Sequence, residues 1–416
     1  MKNKIQTISS LHFPSWYPSR VHPTLGNFIQ KHLEALSRSG QSVWVIYVLR
    51  DLKVNLTGSR FEVIQNDENG VHVIRVYYNS RLPLFGVSKA YFLGIKSFLK
   101  QFREEGNKSD HLPNKLLKKK PDLIHLHVLQ KASLPAFILS KLWSIPLFYT
   151  EHWTGFLPEN KIFNPKKLKS KLLISIANRA KVKMPVTTHL KNAMEGFGIN
   201  GKFEIINNVV DTKTFVGKAS GINIGLENSN ESAQTRITQF IHISHLQEKH
   251  KNFTGLLNGF QKLKEKGIPF HLTIVSDSDL KQPNATIQQF GFTANELTLI
   301  GSSTTNEVAA LMQQSDCLVL FSRFENFPCV IAEAFAVGIP VISTNVGGIS
   351  EHINPNKGIL VESENIEELA RALETMPGGS FDPTHIRQYA IEHFSYEAVG
   401  SKIISVYSMF VESTQA

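Results

Sequence analysis

FSRFENFPCVIAEAFAVGIPVISTNVGG, residues 321–348, reads as a loop, a helix, a buried strand and a glycine turn in succession. Asn326 is a suitable helix cap, and Pro328 falls in the first turn, where a missing N–H costs nothing. Val330, Ile331, Ala334, Phe335 and Val337 recur at helical spacing until Gly338 and Pro340 stop the helix. A helix feeding directly into a short apolar strand is one step of a parallel sheet built with crossover helices. Two acids stand in this step, Glu325 in the loop and Glu333 in the helix. A carboxylate among alanines and a phenylalanine is costly to bury without a partner. One acid before and one within a helix whose N-terminus can hold an anion suit a ligand with hydroxyls at both ends and phosphates between. From this stretch alone, a solvent-facing Glu333 and an ordinary loop acid at Glu325 fit equally well.

Working outward, the same alternation surrounds the stretch. Strands are predicted at 238–244, 270–275, 297–300, 316–321, 341–344 and 358–361, with helices at 252–266, 305–314, 366–375, 383–394 and 396–410. Strand 238–244 ends in Ser244-His245, followed by Glu248, Lys249 and Lys251. Lys251 is placed just before a helix starting at Asn252, where an ammonium and a helix end can meet one anion.

The first half repeats the theme. A strand at 4–13 leads through a loop with Trp16, Tyr17 and Gly26 into a helix at 27–39, then a strand at 42–49. Gly26 stands after the carboxyl end of the first strand, where open α/β sheets bind ligands, and no G-x-G-x-x-G accompanies it. Residues 61–77 alternate as one or two strands, and 87–104 read as a helix. DLIHLHV, 122–128, is a strand whose His125 and His127 share one face, followed by a helix at 132–142, a strand at 145–150 and the polar turn Glu151-His152-Trp153. A basic helical segment spans 161–183. A sheet pattern resumes at 186–194, and a strand and turn are expected at 205–211. Residues 216–236 are rich in Gly, Ser and Asn and read as a linker or mobile insertion.

Bulk properties agree with a two-domain globular protein. The 416 residues exceed one ordinary core. With 42% hydrophobic and 19% charged residues, the chain is neither disordered nor fibrous. Two cysteines, Cys317 and Cys329, give no disulfide framework and no zinc spacing, which points to a reducing compartment. The N-terminus lacks a signal-peptide core, and no apolar run is long enough for a transmembrane helix, so a cytoplasmic location is expected. The net charge of +10 is uneven: residues 1–200 hold 30 Lys and Arg against 12 Asp and Glu, the remainder 15 against 23. A basic first half suggests an anionic partner. Residues 87–100 and 163–184 mix lysines with Phe, Leu and Ile, a composition suited to peripheral contact with anionic lipid or to ordinary amphipathic helices.

Read as a set, these segments resemble the retaining glycosyltransferases of family 4. The resemblance is carried by E-x7-E (Glu325 to Glu333), SWYPSRVHPTLGNFIQKHLEALSRSG, PDLIHLHV, TEHWTGF, INNVVDTKTF, SHLQEKHKN and IEHFSYEAVGSKII, in that family's order and across nearly the whole chain. It implies the GT-B fold: two Rossmann-like doubly wound α/β domains facing a central cleft. The acceptor domain would be 1–205, with the helix at 396–416 packed back on it, and the donor domain 206–395. The implied activity is transfer of a hexose, with retention, from a nucleotide-diphosphate sugar to a glycan or lipid-linked acceptor in cell-surface glycan synthesis. The resemblance also implies each residue's role. Gly26 approaches the diphosphate, and His127 stands beside the transferred sugar. Lys251 pairs with the diphosphate, and Glu325 binds the sugar. Asn326, Phe327 and Pro328 line the donor, and Glu333 holds the ribose. His127, Glu325 and Lys251 would carry catalysis, by support of the leaving phosphate rather than by an enzymic nucleophile. No cofactor and no metal are expected; the cationic work would fall to Lys251 and the helix ends.

One departure is plain. The family usually has Gly-Arg before its lysine, and here Ser244-His245 stands there, so Lys251 and Lys249 must supply more of the positive charge. The turn Ser276-Asp277-Ser278-Asp279 also lacks the usual glycines. Two other readings share the fold: a nucleotide-sugar or glycan-binding protein without transferase activity, and a nucleotide-sugar epimerase. Turnover of a donor separates the first, and the FENFP turn inside E-x7-E disfavours the second. Nucleic-acid binding would explain the basic half, but no recognition motif or stacking series accompanies it.

Overall fold

A computed structural model describes residues 7–57, 60–80, 82–108, 120–160, 163–217 and 237–411. The predicted linker at 216–236 therefore lies almost wholly outside the described residues. The elements, in chain order, begin with β1 (Ser9–Pro14), α1 (Asn27–Arg38), β2 (Ser42–Arg50), β3 (Phe61–Glu68), β4 (Val71–Tyr78) and α2 (Pro83–Lys108). Next come β5 (Leu123–His127), α3 (Ser133–Trp143), β6 (Leu147–Glu151), α4 (Leu168–Asn178), β7 (Lys183–Pro185) and α5 (Thr188–Gly196). A second series runs β8 (Thr238–Ile243), α6 (Glu248–Lys251), α7 (Phe253–Glu265), β9 (Phe270–Val275), α8 (Lys281–Phe290), β10 (Leu297–Ile300) and α9 (Thr305–Gln314). It closes with β11 (Cys317–Leu320), α10 (Cys329–Val337), β12 (Val341–Thr344), β13 (Gly358–Val361), α11 (Ile366–Thr375), α12 (Pro383–Phe394) and α13 (Tyr396–Val411).

The chain forms two compact units, residues 1–209 with 396–416, and residues 210–395. The first holds a seven-stranded sheet in the order β3-β4-β2-β1-β5-β6-β7, parallel except for β3. β3 and β4 form a hairpin whose turn residues Asn69 and Gly70 both have positive φ, as an Asn-Gly turn of the primed type requires. The parallel strands are buried on both faces and so read as continuous apolar runs, as in Val43–Val48. Helix α13 belongs to this unit. Val399, Ile403 and Val406 enter its core, the Tyr396 hydroxyl donates to Glu34 at 2.8 Å, and Gly400 lies so close to α1 that a Cβ would meet the Ala35 carbonyl oxygen at 2.6 Å.

The second unit holds a parallel six-stranded sheet, β10-β9-β8-β11-β12-β13. In both units the strand order reverses beside the first strand, between β1 and β5 and between β8 and β11. Loops leaving those strands diverge there and open a crevice at the carboxyl edge.

Four local expectations are corrected. Residues 186–194 do not resume the sheet: Thr187 caps a helix by accepting from the Leu190 N–H at 3.0 Å. Residues 205–211 form no strand. They run extended beside β7, with Ile206 N donating to Pro185 O at 3.0 Å. Asn252 does not open α7: it adopts left-handed φ/ψ of 50° and 51° and separates the short α6 from α7. Asn326 is not the cap of α10. The residue before a proline is forced extended, so the helix cannot begin before Pro328, which becomes its N-cap with φ −64° and ψ 128°.

Candidate functional site

The crevice of the second unit is built from two loops. One leaves β8 as Ser244–Lys251, the other leaves β11 as Ser322–Pro328. Their backbones are tied by Arg323 N donating to His250 O at 2.9 Å. The Arg323 guanidinium reinforces the tie: it donates to Asn252 Oδ1 at 2.8 Å and to Glu364 Oε1 at 2.7 Å, and pairs with Glu248 at 3.2 Å. The Phe324 ring stacks on His250 at 4.4 Å and 7°.

These ties bring Glu325 against Lys251. The carboxylate is buried, pairs with the Lys251 ammonium through Oε1, and has His250 Nε2 3.4 Å from Oε2. Burial alone would raise its pKa, yet the positive charge of Lys251 and the His250 contact hold it down to about 2. The two residues predicted to carry sugar and diphosphate thus form one buried ion pair. Asn326 is buried beside them, and its carbonyl accepts from Gly348 N at 2.8 Å. The preceding Gly347, at φ 60°, is locked: a Cβ there would stand 1.7 Å from the Glu325 carbonyl oxygen. Phe327 is buried and stacks on Phe394 at 5.2 Å. Glu333 is half-buried on α10, a helix whose Ile331, Ala332 and Ala334–Val337 are sunk into the core.

His245, the departure from the family pattern, is half-buried, with its ring 5.2 Å from that of His250. Burial, then the charge of Lys251 and His250, lowers its pKa below the usual histidine value, so it is less cationic than its type suggests. The Ser276–Asp279 turn packs on it, with Ser278 Oγ donating to the His245 carbonyl. An open pocket of about 610 Å³ adjoins, lined by His245, Lys249, Ser278 and Lys281 among others. Lys249 is exposed there.

Gly26 and His127 belong to the first unit. Gly26, at φ 79°, precedes α1, and a Cβ would stand 2.6 Å from the Trp16 backbone. The same loop reaches β5, because Ser15 N donates to His127 O at 2.9 Å. His127 is buried with His12 and His125, their ligating nitrogens all within 4.8 Å of one another. The rings stack, His125 on His127 at 4.2 Å and 26°, His12 on His127 at 5.2 Å and 28°. His125 uses both nitrogens, toward the Tyr407 hydroxyl and toward Thr150 Oγ1 at 2.7 Å. Glu151 ends β6 as a structural knot. It accepts from the N–H groups of Leu129, His152 and Trp153 and from the Tyr149 hydroxyl, and burial still raises its pKa.

His250, Arg323, His12 and Ser10 were not singled out from the sequence. His250 and Arg323 each lie within two residues of a predicted site residue, the one signal available for them. His12 and Ser10 join His127 only through the pairing of β1 with β5, in which His12 faces His125.

Residues 25–214 match the family described as Glycosyltransferase Family 4, and residues 228–393 match Glycosyl transferases group 1. TuaC of Bacillus subtilis strain 168, a glycosyltransferase named for teichuronic acid biosynthesis, is 23% identical over 86% of both chains. A D-inositol 3-phosphate glycosyltransferase of Rhodococcus erythropolis is 29% identical, over 35% of each chain. Among solved structures, Anabaena HepE with UDP and glucose superposes with a TM-score of 0.68 at 16% identity, over 96% of this chain and 99% of that one. Sucrose-phosphate synthase from Thermosynechococcus elongatus gives 0.69 at 16%, over 97% and 100%. The fold is GT-B.

Proposed function

The chain belongs to the family 4, group 1 glycosyltransferases, and we propose that it transfers a hexose with retention from a nucleotide-diphosphate sugar to a glycan or lipid-linked acceptor of the cell surface. The observation that carries the reading is the buried pair of Lys251 and Glu325 at the crevice of the second unit. A buried ion pair contributes little net stability and is costly to assemble. It is the arrangement expected of charges that a ligand re-pairs: diphosphate oxygens take the ammonium, and sugar hydroxyls donate to the carboxylate. Glu333 would hold the ribose, and the Asn326–Phe327–Pro328 backbone, Gly26 and His127 would line the rest. His245 adds little charge, so Lys251 carries most of the support of the leaving phosphate. The mechanism needs no metal in this reading. UDP and glucose in HepE, and the role named for TuaC, favour a nucleotide-sugar donor and a surface glycan.

The test is a thermal-shift panel of nucleotide-sugars, followed by release of nucleoside diphosphate from the best donor and proton NMR of the product anomer. An inverted anomer would refute retention. Normal turnover by Glu325→Ala would refute the site, and donor binding without turnover would favour a binding protein of the same fold.

The acceptor reading includes a cytoplasmic enzyme in peripheral contact with anionic membrane. Among the described residues no helix is long and apolar enough to cross a membrane. Leu134, Ile138 and Leu142 make an exposed stripe on α3, and Leu168 and Leu172 another on α4, with Lys141, Lys167, Lys169 and Lys171 exposed beside them. Apolar groups among lysines suit anionic lipid. Absence of binding to anionic vesicles at low salt would refute this.

A further inference from the structure

His250 holds a buried nitrogen that no formed hydrogen bond uses. Its Nε2 faces Glu325 Oε2 at 3.4 Å, outside the range of about 2.7–3.2 Å for a formed N–H···O bond, and meets no other partner. Glu325 is ionised, and a carboxylate can only accept, so the nitrogen turned toward it carries the hydrogen. An unmet buried donor is costly, yet the fold holds this one in place. The His250 N–H donates to Gln247 O at 3.0 Å, its carbonyl accepts from Arg323 N at 2.9 Å, and its ring lies flat on Phe324.

The surrounding charges are otherwise committed. Lys251 holds Glu325 through Oε1, which leaves Oε2 to His250. The Arg323 guanidinium is taken by Asn252, Glu364 and Glu248. His242 spends both nitrogens, on Val319 O and Ser244 Oγ, each at 2.8 Å. The His245 ring lies 5.2 Å beyond that of His250, and Lys249 is exposed in the adjoining pocket. His250 is therefore the group left to Glu325 once a diphosphate takes the Lys251 ammonium. A buried carboxylate stripped of its only partner resists that step. A donor already facing it relieves the resistance by closing to ordinary hydrogen-bond length.

We propose that His250 is a positioning residue: it takes over Glu325 when a diphosphate draws Lys251 away. Sugar hydroxyls donate to the same carboxylate, so the handover counts most when no sugar is present, as for the nucleoside diphosphate left after transfer. The ligand class rests on the glycosyltransferase reading above; the handover from Lys251 to His250 does not.

The test uses the full chain and has a ligand-free arm and a binding arm. Without ligand, Lys251→Met is made in wild type, His250→Phe and His250→Gln, and the urea midpoint is followed by far-UV circular dichroism. Phenylalanine keeps the stack on Phe324 without a donor, and the glutamine Nε2 restores one. Lys251→Met is expected to lower the midpoint more in His250→Phe than in wild type or His250→Gln. In the binding arm, the best nucleotide-sugar of the thermal-shift panel and its nucleoside diphosphate are titrated by calorimetry. His250→Phe is expected to raise the Kd of the nucleoside diphosphate about tenfold or more, the worth of a hydrogen bond to a charged group, and that of the nucleotide-sugar about threefold or less. His250→Gln is expected to restore both, and in a Glu325→Gln protein the difference between the two ligands should vanish. Equal midpoint shifts in the three backgrounds overturn the handover. Equal weakening of both ligands, which a merely structural role would give, overturns its link to the sugar. A larger midpoint shift in His250→Phe, with no nucleotide bound by any of these proteins, keeps the handover and overturns the glycosyltransferase reading. If His250→Phe does not fold, His250→Leu takes its place and the same comparisons decide.

Discussion

Replacing Lys251 by methionine leaves the stem of the side chain and removes the charge that Glu325 faces. Glu325 is 5% exposed, with its pKa held down to about 2 from the usual glutamate value of about 4.5. At 1.36 kcal/mol per unit, that depression corresponds to about 3 kcal/mol, and breaking a buried pair from one side typically costs about 3–5 kcal/mol. His250, 3.4 Å away, softens the loss, so we expect about 2–4 kcal/mol. The sign follows from linkage. The folded pKa lies below the unfolded one, so the stabilisation is fully present above about pH 4.5 and drains away as pH falls toward 2. Lys251→Met should flatten that acid limb. All four tryptophans, 16, 44, 143 and 153, lie in the first unit, so tryptophan fluorescence follows that unit alone, whereas far-UV circular dichroism follows both. Urea unfolding should move the dichroism transition and leave the fluorescence transition in place. Lys251→Met/Glu325→Leu, which removes both charges, should recover much of the loss. A Lys251→Met protein within 0.5 kcal/mol of wild type, with its acid limb unchanged, would refute the buried pair as described.

Glu325→Ala should lower kcat about 100-fold as the donor loses electrostatic support, and Glu333→Ala should raise the donor KM about tenfold or more with kcat largely kept; steady-state release of nucleoside diphosphate separates the two. Gly347→Ala should cost about 2–4 kcal/mol and abolish donor turnover, because the new Cβ meets the Glu325 carbonyl oxygen in a left-handed conformation; a protein of wild-type melting temperature would contradict this. Gly400→Val should shift the fluorescence transition of the first unit, since the side chain would collide with the Ala35 carbonyl oxygen of α1. The first unit should also lose stability as pH falls below about 6.5, because burial lowers His12 to about 3 and His32 to about 4 and the unfolded chain takes up those protons first; an acid limb no steeper than one proton in fluorescence-detected unfolding would count against it.

The chain's own pattern determined the class of fold. Buried parallel strands are apolar throughout, their helices carry a period of 3.6, and glycine or proline ends each step, so the alternation in 238–361 could be read before any contact was known. It also set the spacing of Glu325 and Glu333, eight residues apart across one loop and one helix. Local rules failed where two of them competed. Asn326 is a good cap by type, but Phe327, standing before a proline, cannot be helical. Asn252 is a good helix starter, but the tight turn out of α6 needed a left-handed residue. What only the tertiary structure decided was the company each charge keeps. Strand order places β8 beside β11, so Lys251 meets a glutamate 74 positions away. The register of β1 on β5 brings His12, 115 positions distant, to His127. Such pairings depend on which strands become neighbours across the sheet. That choice is made by the summed burial of whole elements and leaves no mark in the spacing of the residues it joins.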